Sequence, residues 1–592
     1  MDPRIVAALD TETYFDSELS VRRLGNVPYA TRTDWFLVSL YSPTLDLRYC
    51  GPPEEAPWDR VDGQIWISHN AAFDSAIFHA GQQRGQVPSS VAPSRWHCSA
   101  DLSAYSLLGR ALATAVQNAF GVRLPKTVRD KAKGKRWPGD FTPEEQHEFF
   151  EYCLADSAWC YQLWEKYAPL WPPEERLFSD LVRMRANQGV RVDRLLLEET
   201  IAKLQALKDV AEDQIPWALG DKTVLSLGKV RDYCVQAGIP APPSLAQGNV
   251  ACVGWEQQYG TKHPVVGALR QWRKANTLLR RCESMQNRLM NEDRVCFGLR
   301  YFGAHTGRLS GSDGLNLQNQ NRGAFEGIEI RKVLIAAPGK KFVIGDYSQV
   351  EPRATCWVTA NREMLKLLAE GHNLYESDAR LSGVWNGEPG TLKRSDPRLY
   401  QTQKAASLGT AYGMGHQRFR QAAKEQLDLD LDPEQCRRII SDWHARHPQV
   451  RPYWYELEHQ LSLSYARQED YFIRLPSGRR LAYLDIERVG ENGRVRYSAF
   501  TSLEKTKRTY LWGGKLFENL IQSLCRDLLR DCVIRLEEAG IATVFTSHDE
   551  VCCEVAEDFS AAEILRLMLV PSPWAEGLPL AAEVIETKAY TK

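Results

Sequence analysis

Residues Lys340–Thr355 read KKFVIGDYSQVEPRAT, and the fold of the C-terminal half turns on them. Phe342 to Gly345 is an apolar run of the kind that forms a buried strand, and it ends on an acid, Asp346. The next residues turn toward a helix. A second segment, Thr543–Val555 (TVFTSHDEVCCEV), reads as a hairpin, with β-branched and small apolar residues flanking His548, Asp549 and Glu550 at its tip. Taken alone, those three residues favour a solvated turn. Two strands that each deliver a carboxylate to one end of a sheet suit a hard divalent cation, which prefers oxygen ligands. Cys552 and Cys553 lack a cysteine or histidine partner at zinc-like spacing, so both are expected to pack within their strand.

Two further segments surround this pair. Arg398–Gly415 (RLYQTQKAASLGTAYGMG) has Lys404, Leu408 and Tyr412 at spacings of four, one face of a helix on which a lysine can meet a triphosphate beside an aromatic ring. His305–Arg322 (HTGRLSGSDGLNLQNQNR) is loop-rich and offers Arg308, Asn316, Gln318 and Asn319 as hydrogen-bonding groups.

The first 175 residues carry another set of acids. In RIVAALDTET, Asp10 and Glu12 are two apart on a strand and face one side. QIWISHNAAFDSAIF repeats the strand, turn and helix order, with Asn70 at the junction and Asp74 one helical turn later. EEQHEFFEYCLADSAWCYQLW reads as a helix with Tyr152 and Asp156 on one face. Four carboxylates at strand and helix ends suit two divalent cations and an in-line phosphoryl displacement, with the tyrosine placed to orient a water. The competing reading is a Rossmann-like domain with incidental surface acids.

The chain has 592 residues, 43% hydrophobic and 25% charged, which implies several ordinary globular domains. No apolar run reaches membrane-spanning length and the N-terminus lacks signal-peptide features, so a soluble, cytosolic protein is expected. The 14 cysteines form no C-x-x-C pair and read as reduced, buried thiols, Cys153, Cys160 and Cys532 among them in apolar surroundings. A net charge of −1 hides two basic runs, Lys126–Arg136 and Leu269–Arg288, each with six basic residues and one acid. Both read equally as solvated helix faces or as phosphate-binding surfaces. Helical periodicity resumes after Pro172-Pro173, with Asp193 as an N-cap and a basic helix carrying Arg270, Arg273, Lys274, Arg280 and Arg281. Leu381–Leu399 is the expected long flexible connection.

The N-terminal set resembles the DEDD-y 3′→5′ exonucleases, with Asp10, Glu12, Asp74, Asp156 and Tyr152 filling every catalytic position. The segments T-G-R-L-S, D-Y-S-Q-x-E-x-R, the Lys404 helix and H-D-E resemble family-A DNA polymerases, and Trp512–Leu529 looks like their bacteriophage members. The resemblance spans essentially the whole chain. It implies an α/β plus α+β multidomain fold: a ribonuclease-H-like exonuclease domain at 1–175, then a right hand. A thumb is expected at 176–300, palm with motif A at 301–358, fingers with motif B at 359–470, and palm with motif C at 471–592. With nothing ahead of the exonuclease domain, no 5′ nuclease is expected.

The resemblance further implies that Asp346, Asp549 and the Tyr347 carbonyl hold two Mg²⁺ ions, that Asp10, Glu12, Asp74 and Asp156 hold two more, and that Mn²⁺ substitutes. Glu550 would be an auxiliary acid. Lys404 would bind the incoming dNTP and act as general acid, joined by Gln349, Leu408 and Tyr375, while Glu351 and Tyr412 would exclude a 2′-OH. Arg308, Gln522, His548, Asn319 and Lys515 would touch DNA, and Arg353 would brace the site. The implied partners are primer-template DNA and dNTPs, in phage genome replication in a host cytoplasm. The chain is expected to act as a monomer. Phage members sometimes recruit a processivity factor or replisome proteins, but no appended loop identifies one.

The pattern departs from the family at Tyr400, where an arginine is usual, at Leu408, where Phe or Tyr is common, and at Tyr375, where histidine is frequent. Two other functions compete. One is a nuclease or DNA-end-binding protein with an inactive polymerase half; the other is a single-subunit RNA polymerase, from which Glu351 is the discriminating residue.

Overall fold

The structure is a computed structural model and describes residues 5–125, 128–218, 220–246, 249–318, 323–427, 429–490 and 496–591. The N-terminal sheet is built from β1 (Val6–Thr13), β2 (Trp35–Ser42), β3 (Leu47–Gly51), β4 (Ile65–Ser68) and β5 (Arg95–Cys98), in the order β3-β2-β1-β4-β5. Strand β2 runs antiparallel to both β1 and β3, whereas β4 is parallel to both β1 and β5. This is the ribonuclease-H-like arrangement expected of the domain. Parallel neighbours need a crossover, and α1 (Ala71–Gln83) supplies the one between β4 and β5. After α2 (Val128–Lys131), α3 (Pro143–Tyr167) packs across β1 and β2, its start fixed by a capping box between Thr142 and Glu145.

Helix α4 (Pro173–Gln188) leads away from this domain, followed by α5 (Arg194–Asp213) and α6 (Pro264–Asn287), which pack on each other. Asp193 caps α5 as expected, accepting from the Leu196 N–H at 3.0 Å. On α6 the basic run divides: Arg270, Lys274 and Arg280 are exposed. Arg273 instead turns inward to pair with buried Glu256, so it braces the helix and does not face a ligand.

The second half contains β6 (Lys340–Tyr347), α7 (Val350–Val358), α8 (Leu374–Leu381), α9 (Pro397–Thr410), α10 (Pro433–Arg446) and α11 (Val450–Ala466). A four-stranded meander that sequence reading did not isolate follows: β7 (Tyr471–Arg474), β8 (Arg480–Val489), β9 (Arg496–Phe500) and β10 (Thr509–Leu511). Helix α12 (Gly513–Glu538) then leads to β11 (Thr543–Ser547), β12 (Glu550–Ala556), α13 (Ala561–Met568) and β13 (Ala582–Thr587). The central sheet has the order β11-β12-β6-β13, antiparallel throughout. Its two-residue alternation separates two cores. Phe342, Ile344 and Cys552 pack with Phe545 and Tyr590, while Val343, Tyr347, Val551 and Cys553 pack under α12 and α13. The adjacent cysteines are core residues on opposite faces.

The connection expected to be flexible is pinned. Buried Glu376 accepts from the backbone N–H groups of Gly390 and Leu392 at 3.0 and 3.1 Å, and Leu392–Ser395 is helical. Among the described residues no helix is long and apolar enough to cross a membrane.

Glu175, at the start of α4, is fully buried and ties α4 to α12. Its carboxylate accepts from Arg526 Nη2 at 2.8 Å, Arg530 Nη1 at 2.7 Å and the Tyr301 hydroxyl at 2.5 Å. Burial alone raises its pKa, but Arg526, Arg530 and Arg479 outweigh burial and hold it well below the usual carboxylate range. With the folded value depressed, its contribution is fully present above the unfolded value of about 4 and is lost as pH falls through the folded one. Glu175→Gln strands buried guanidinium charge, and the expected loss is about 3–5 kcal/mol of unfolding free energy, read from urea midpoints at neutral pH.

Candidate active sites

At the end of the central sheet, Asp346 on β6 stands opposite Glu550 on β12. Asp549 occupies the turn between β11 and β12, after exposed His548 with its left-handed φ of 57°. The Tyr347 N–H donates to the Asp549 carbonyl at 3.2 Å, fixing the turn against β6. Burial and then the neighbouring Asp346 carboxylate push Asp549 up to about 6, with Arg308 opposing. A buried carboxylate whose charge is opposed by a second one beside it suits a divalent cation shared between the two.

Glu550 behaves differently. It is 3% exposed, and its Oε1 accepts from the Tyr590 hydroxyl at 2.8 Å. The Tyr590 ring rests edge-on against Phe545 at 5.0 Å, so this carboxylate is held into the core beside the Asp346 and Asp549 pair.

Beside the acids, Glu351 in the first turn of α7 pairs with Arg308 and accepts from the Tyr412 hydroxyl at 3.2 Å. Residues 43 and 61 positions from Glu351 thus form one wall. Tyr412 lies in the turn just after α9. Lys404 is on α9, half-buried, and has no carboxylate partner among the described residues. Arg353 braces the turn after β6, donating to the carbonyls of Ser348 and Pro579 at 3.0 Å each. Lys515 and Gln522 on α12 both contact Glu518, at 3.0 and 3.1 Å.

Two expected nucleotide contacts are placed elsewhere. The Gln349 side-chain oxygen accepts from the Leu374 N–H at 2.8 Å, so this amide caps the first turn of α8. Tyr375 is 5% exposed among Cys356, Met364 and Leu368, with its ring edge-on to Tyr400 at 5.1 Å. It is a core residue, because its face of α8 meets an apolar cluster. The Leu408 side chain and Asn319 lie outside the described residues. A cleft of about 640 Å³ lined by His416, Arg437, Arg451, Trp454 and Trp512 was not foreseen. Its tryptophans come from separate elements, with no spacing to signal them.

In the N-terminal domain, the Asp74 carboxylate accepts from Thr11 Oγ1 at 2.7 Å. Its other oxygen is buried without a hydrogen-bond partner. A buried orphan acceptor is costly unless something satisfies it. Tyr152 and Asp156, one turn apart on α3, lie near enough for each to act on the other's titration. Burial raises Glu12 to about 8, Asp74 to about 7 and Asp156 to about 6, and raises Asp10 well above its ordinary value. Neighbouring carboxylates add to the rise at Asp10 and Glu12. The donor set and the orphan oxygen fit divalent cations.

Arg129 on α2 opposes the rise at Glu12, Asp74 and Asp156 and is the member of the basic run that reaches the acids. Lys131, Lys135 and Arg136 pair instead with Glu148, Glu145 and Asp34, and Lys126 lies outside the described residues. A cleft of about 500 Å³, lined by Leu124, Val128, His147, Tyr152 and Asp156, opens beside the site. Cys153 corrects an expectation. Its Sγ lies 3.6 Å from Asp10 Oδ2, in polar rather than apolar surroundings.

A central sheet that ends in paired aspartates, with a lysine-bearing helix beside it and a carboxylate-rich N-terminal domain, is the arrangement of a nucleotidyltransferase. The model of DNA polymerase family A matches residues 255–568, more than half of the chain, and the chain belongs to that family. It is 26% identical over 519 residues to the DNA polymerase of Bacillus phage SP02, covering 78% of each chain. It is 24% identical over 564 residues to the thermostable DNA polymerase I of Thermus filiformis, covering 90% of this chain and 63% of that one. The fold is similar, with a TM-score of 0.68 at 16% identity, to the polymerase domain of Pol1 from M. smegmatis in complex with DNA primer-template and dNTP, covering 100% of this chain and 96% of that one.

Proposed function

We propose that this family-A enzyme adds dNTPs to a primer 3′-OH under template direction at Asp346 and Asp549, and trims primer ends 3′→5′ at Asp10, Glu12, Asp74 and Asp156. A role in phage genome replication is consistent with the phage relative. The observation that carries the reading is the convergence of Asp346, Asp549 and the Glu351–Arg308–Tyr412 wall on one end of the central sheet.

Mg²⁺, two ions at each site, with Mn²⁺ able to substitute, would activate the attacking oxygen and neutralise charge on the transferring phosphoryl group. Asp346 and Asp549 would hold the cations, and the Tyr347 carbonyl lies on the same strand end. Glu550, held by Tyr590, sets the negative potential of the site from behind. Lys404 meets the triphosphate and delivers a proton to the leaving pyrophosphate. Glu351, clamped by Arg308 and Tyr412, stands where a ribose 2′-OH would collide. Lys515, Gln522 and His548 face the primer-template, and the tryptophan-lined cleft offers stacking surfaces to a single template strand. At the second site Tyr152 orients the attacking water and Arg129 draws the strand's phosphates to the acids.

Primer extension with dNTPs or NTPs tests this. The expected result is extension by dNTPs only. In Glu351→Ala, discrimination against NTPs falls by about tenfold or more, roughly 1.4 kcal/mol of differential transition-state binding. Equal use of both nucleotide classes by the unaltered chain would place it with RNA polymerases instead.

A further inference from the structure

Asp10, Ser39 and Cys50 lie side by side in register across β1, β2 and β3. Residues directly paired across strands point to the same face, here the face covered by α3. Ser39 Oγ donates to the Cys153 carbonyl at 2.8 Å, which seats α3 with Cys153 over this row. The Cys153 thiol reaches Asp10 on one side, and the Cys50 thiol bears on it from the other. One ligand atom each from Asp10, Glu12 and Cys153 lies within 4.8 Å of the others. Asp74, 1% exposed and near enough for its charge to act on Asp10, carries a carboxylate oxygen without a hydrogen-bond partner beside this cluster. Cys153 is fully buried and Cys50 half-buried.

Mg²⁺ gains nothing from sulfur, because hard cations take oxygen ligands. A thiolate beside two carboxylates suits a borderline cation such as Zn²⁺. We propose that Asp10, Glu12 and Cys153 form a site for a thiophilic divalent cation of the Zn²⁺ class, overlapping the position where the exonuclease carboxylates take Mg²⁺. Cys50 is a positioning residue that orients the Cys153 thiol. On binding, Cys153 and whichever of the Asp10 and Glu12 carboxyls is protonated would release their protons to solvent, and the sulfur and two carboxylate oxygens would hold the cation, so the two classes of cation compete. The inference rests on the reading of these carboxylates as metal ligands.

Cd²⁺, a spectroscopic stand-in for Zn²⁺, tests it in the full-length chain carrying Asp549→Ala to silence the polymerase site. The expected result is an ultraviolet thiolate-to-cadmium charge-transfer band that excess Mg²⁺ suppresses. The band is lost in Cys153→Ser, which keeps the side-chain volume. Cys50→Ser retains it, with Cd²⁺ affinity weakened on the order of tenfold. A band unchanged in folded Cys153→Ser overturns the proposal. Should that variant not fold, cadmium NMR of the parent decides: a sulfur-ligated resonance displaced by Mg²⁺ supports the site, and oxygen-ligated resonances alone overturn it. Mn²⁺ binding followed by EPR separates the underlying reading. If Asp10→Ala leaves Mn²⁺ binding unchanged, the carboxylate centre itself is misassigned; if Asp10→Ala weakens it while the band survives Cys153→Ser, only the thiol inference fails.

Discussion

Asp549→Ala abolishes primer extension, lowering kcat by at least about 10³-fold, or roughly 4 kcal/mol of transition-state stabilisation, while 3′→5′ degradation of a single strand continues. The expectation follows from the position of the residue. Asp549 sits in a turn whose carbonyl is bonded to the Tyr347 N–H, so its side chain is aimed by the same strand end that carries Asp346. The two acids flanking the pair are engaged elsewhere: Glu550 is held by Tyr590, and Glu351 by Arg308 and Tyr412. Folding is spared, because removing one of two mutually repelling carboxylates relieves strain in the metal-free protein. A thermal melt at or above that of the parent, together with lost extension, identifies a catalytic defect. Extension at the normal rate in this variant would overturn the metal assignment.

The readable parts of the sequence were those governed by short periods. The apolar run Phe342–Gly345 marks a buried strand ending on Asp346, a spacing of two puts Asp10 and Glu12 on one side of β1, and a spacing of four puts Tyr152 and Asp156 on one side of α3. Partnerships across long sequence separations had no such signal. Gln349 looks like part of a nucleotide-binding turn until Leu374 is seen to need its oxygen. Tyr375 looks polar until Cys356, Met364 and Leu368 close around it. Cys153 was read as an apolar thiol from its helical neighbours, yet the residue across from it is Asp10, 143 positions away. The guanidinium groups around Glu175 come from positions more than 300 residues later, so no local pattern could mark it as the buried link between α4 and α12.

Asp10→Ala gives the converse of the polymerase defect: 3′→5′ degradation falls by about 10³-fold or more and dNTP extension persists. It also changes how stability responds to pH. Glu12, Asp74 and Asp156 have folded pKa values raised to about 8, 7 and 6, against unfolded values of about 4. The folded protein therefore holds protons that the unfolded chain has released. Where the native state binds more protons, stability falls as pH rises, so the metal-free parent loses stability across the window from about pH 4 to pH 8. Divalent metal reverses the loss at the upper end, where the carboxylates are charged and can ligate, and does little at the lower end, where protons occupy them. Asp10 is itself raised well above its ordinary value by burial and then by Glu12, Asp156 and Asp74, so removing it takes away one of the protons that only the folded state holds; the variant's melting temperature in chelator therefore declines less steeply over the same window and responds less to added Mg²⁺. Melts of parent and variant across that range, with and without metal, measure both slopes. A parent whose metal-free stability rises toward pH 8, or a variant that keeps the full Mg²⁺ response, would mean that these four carboxylates do not share one cation site.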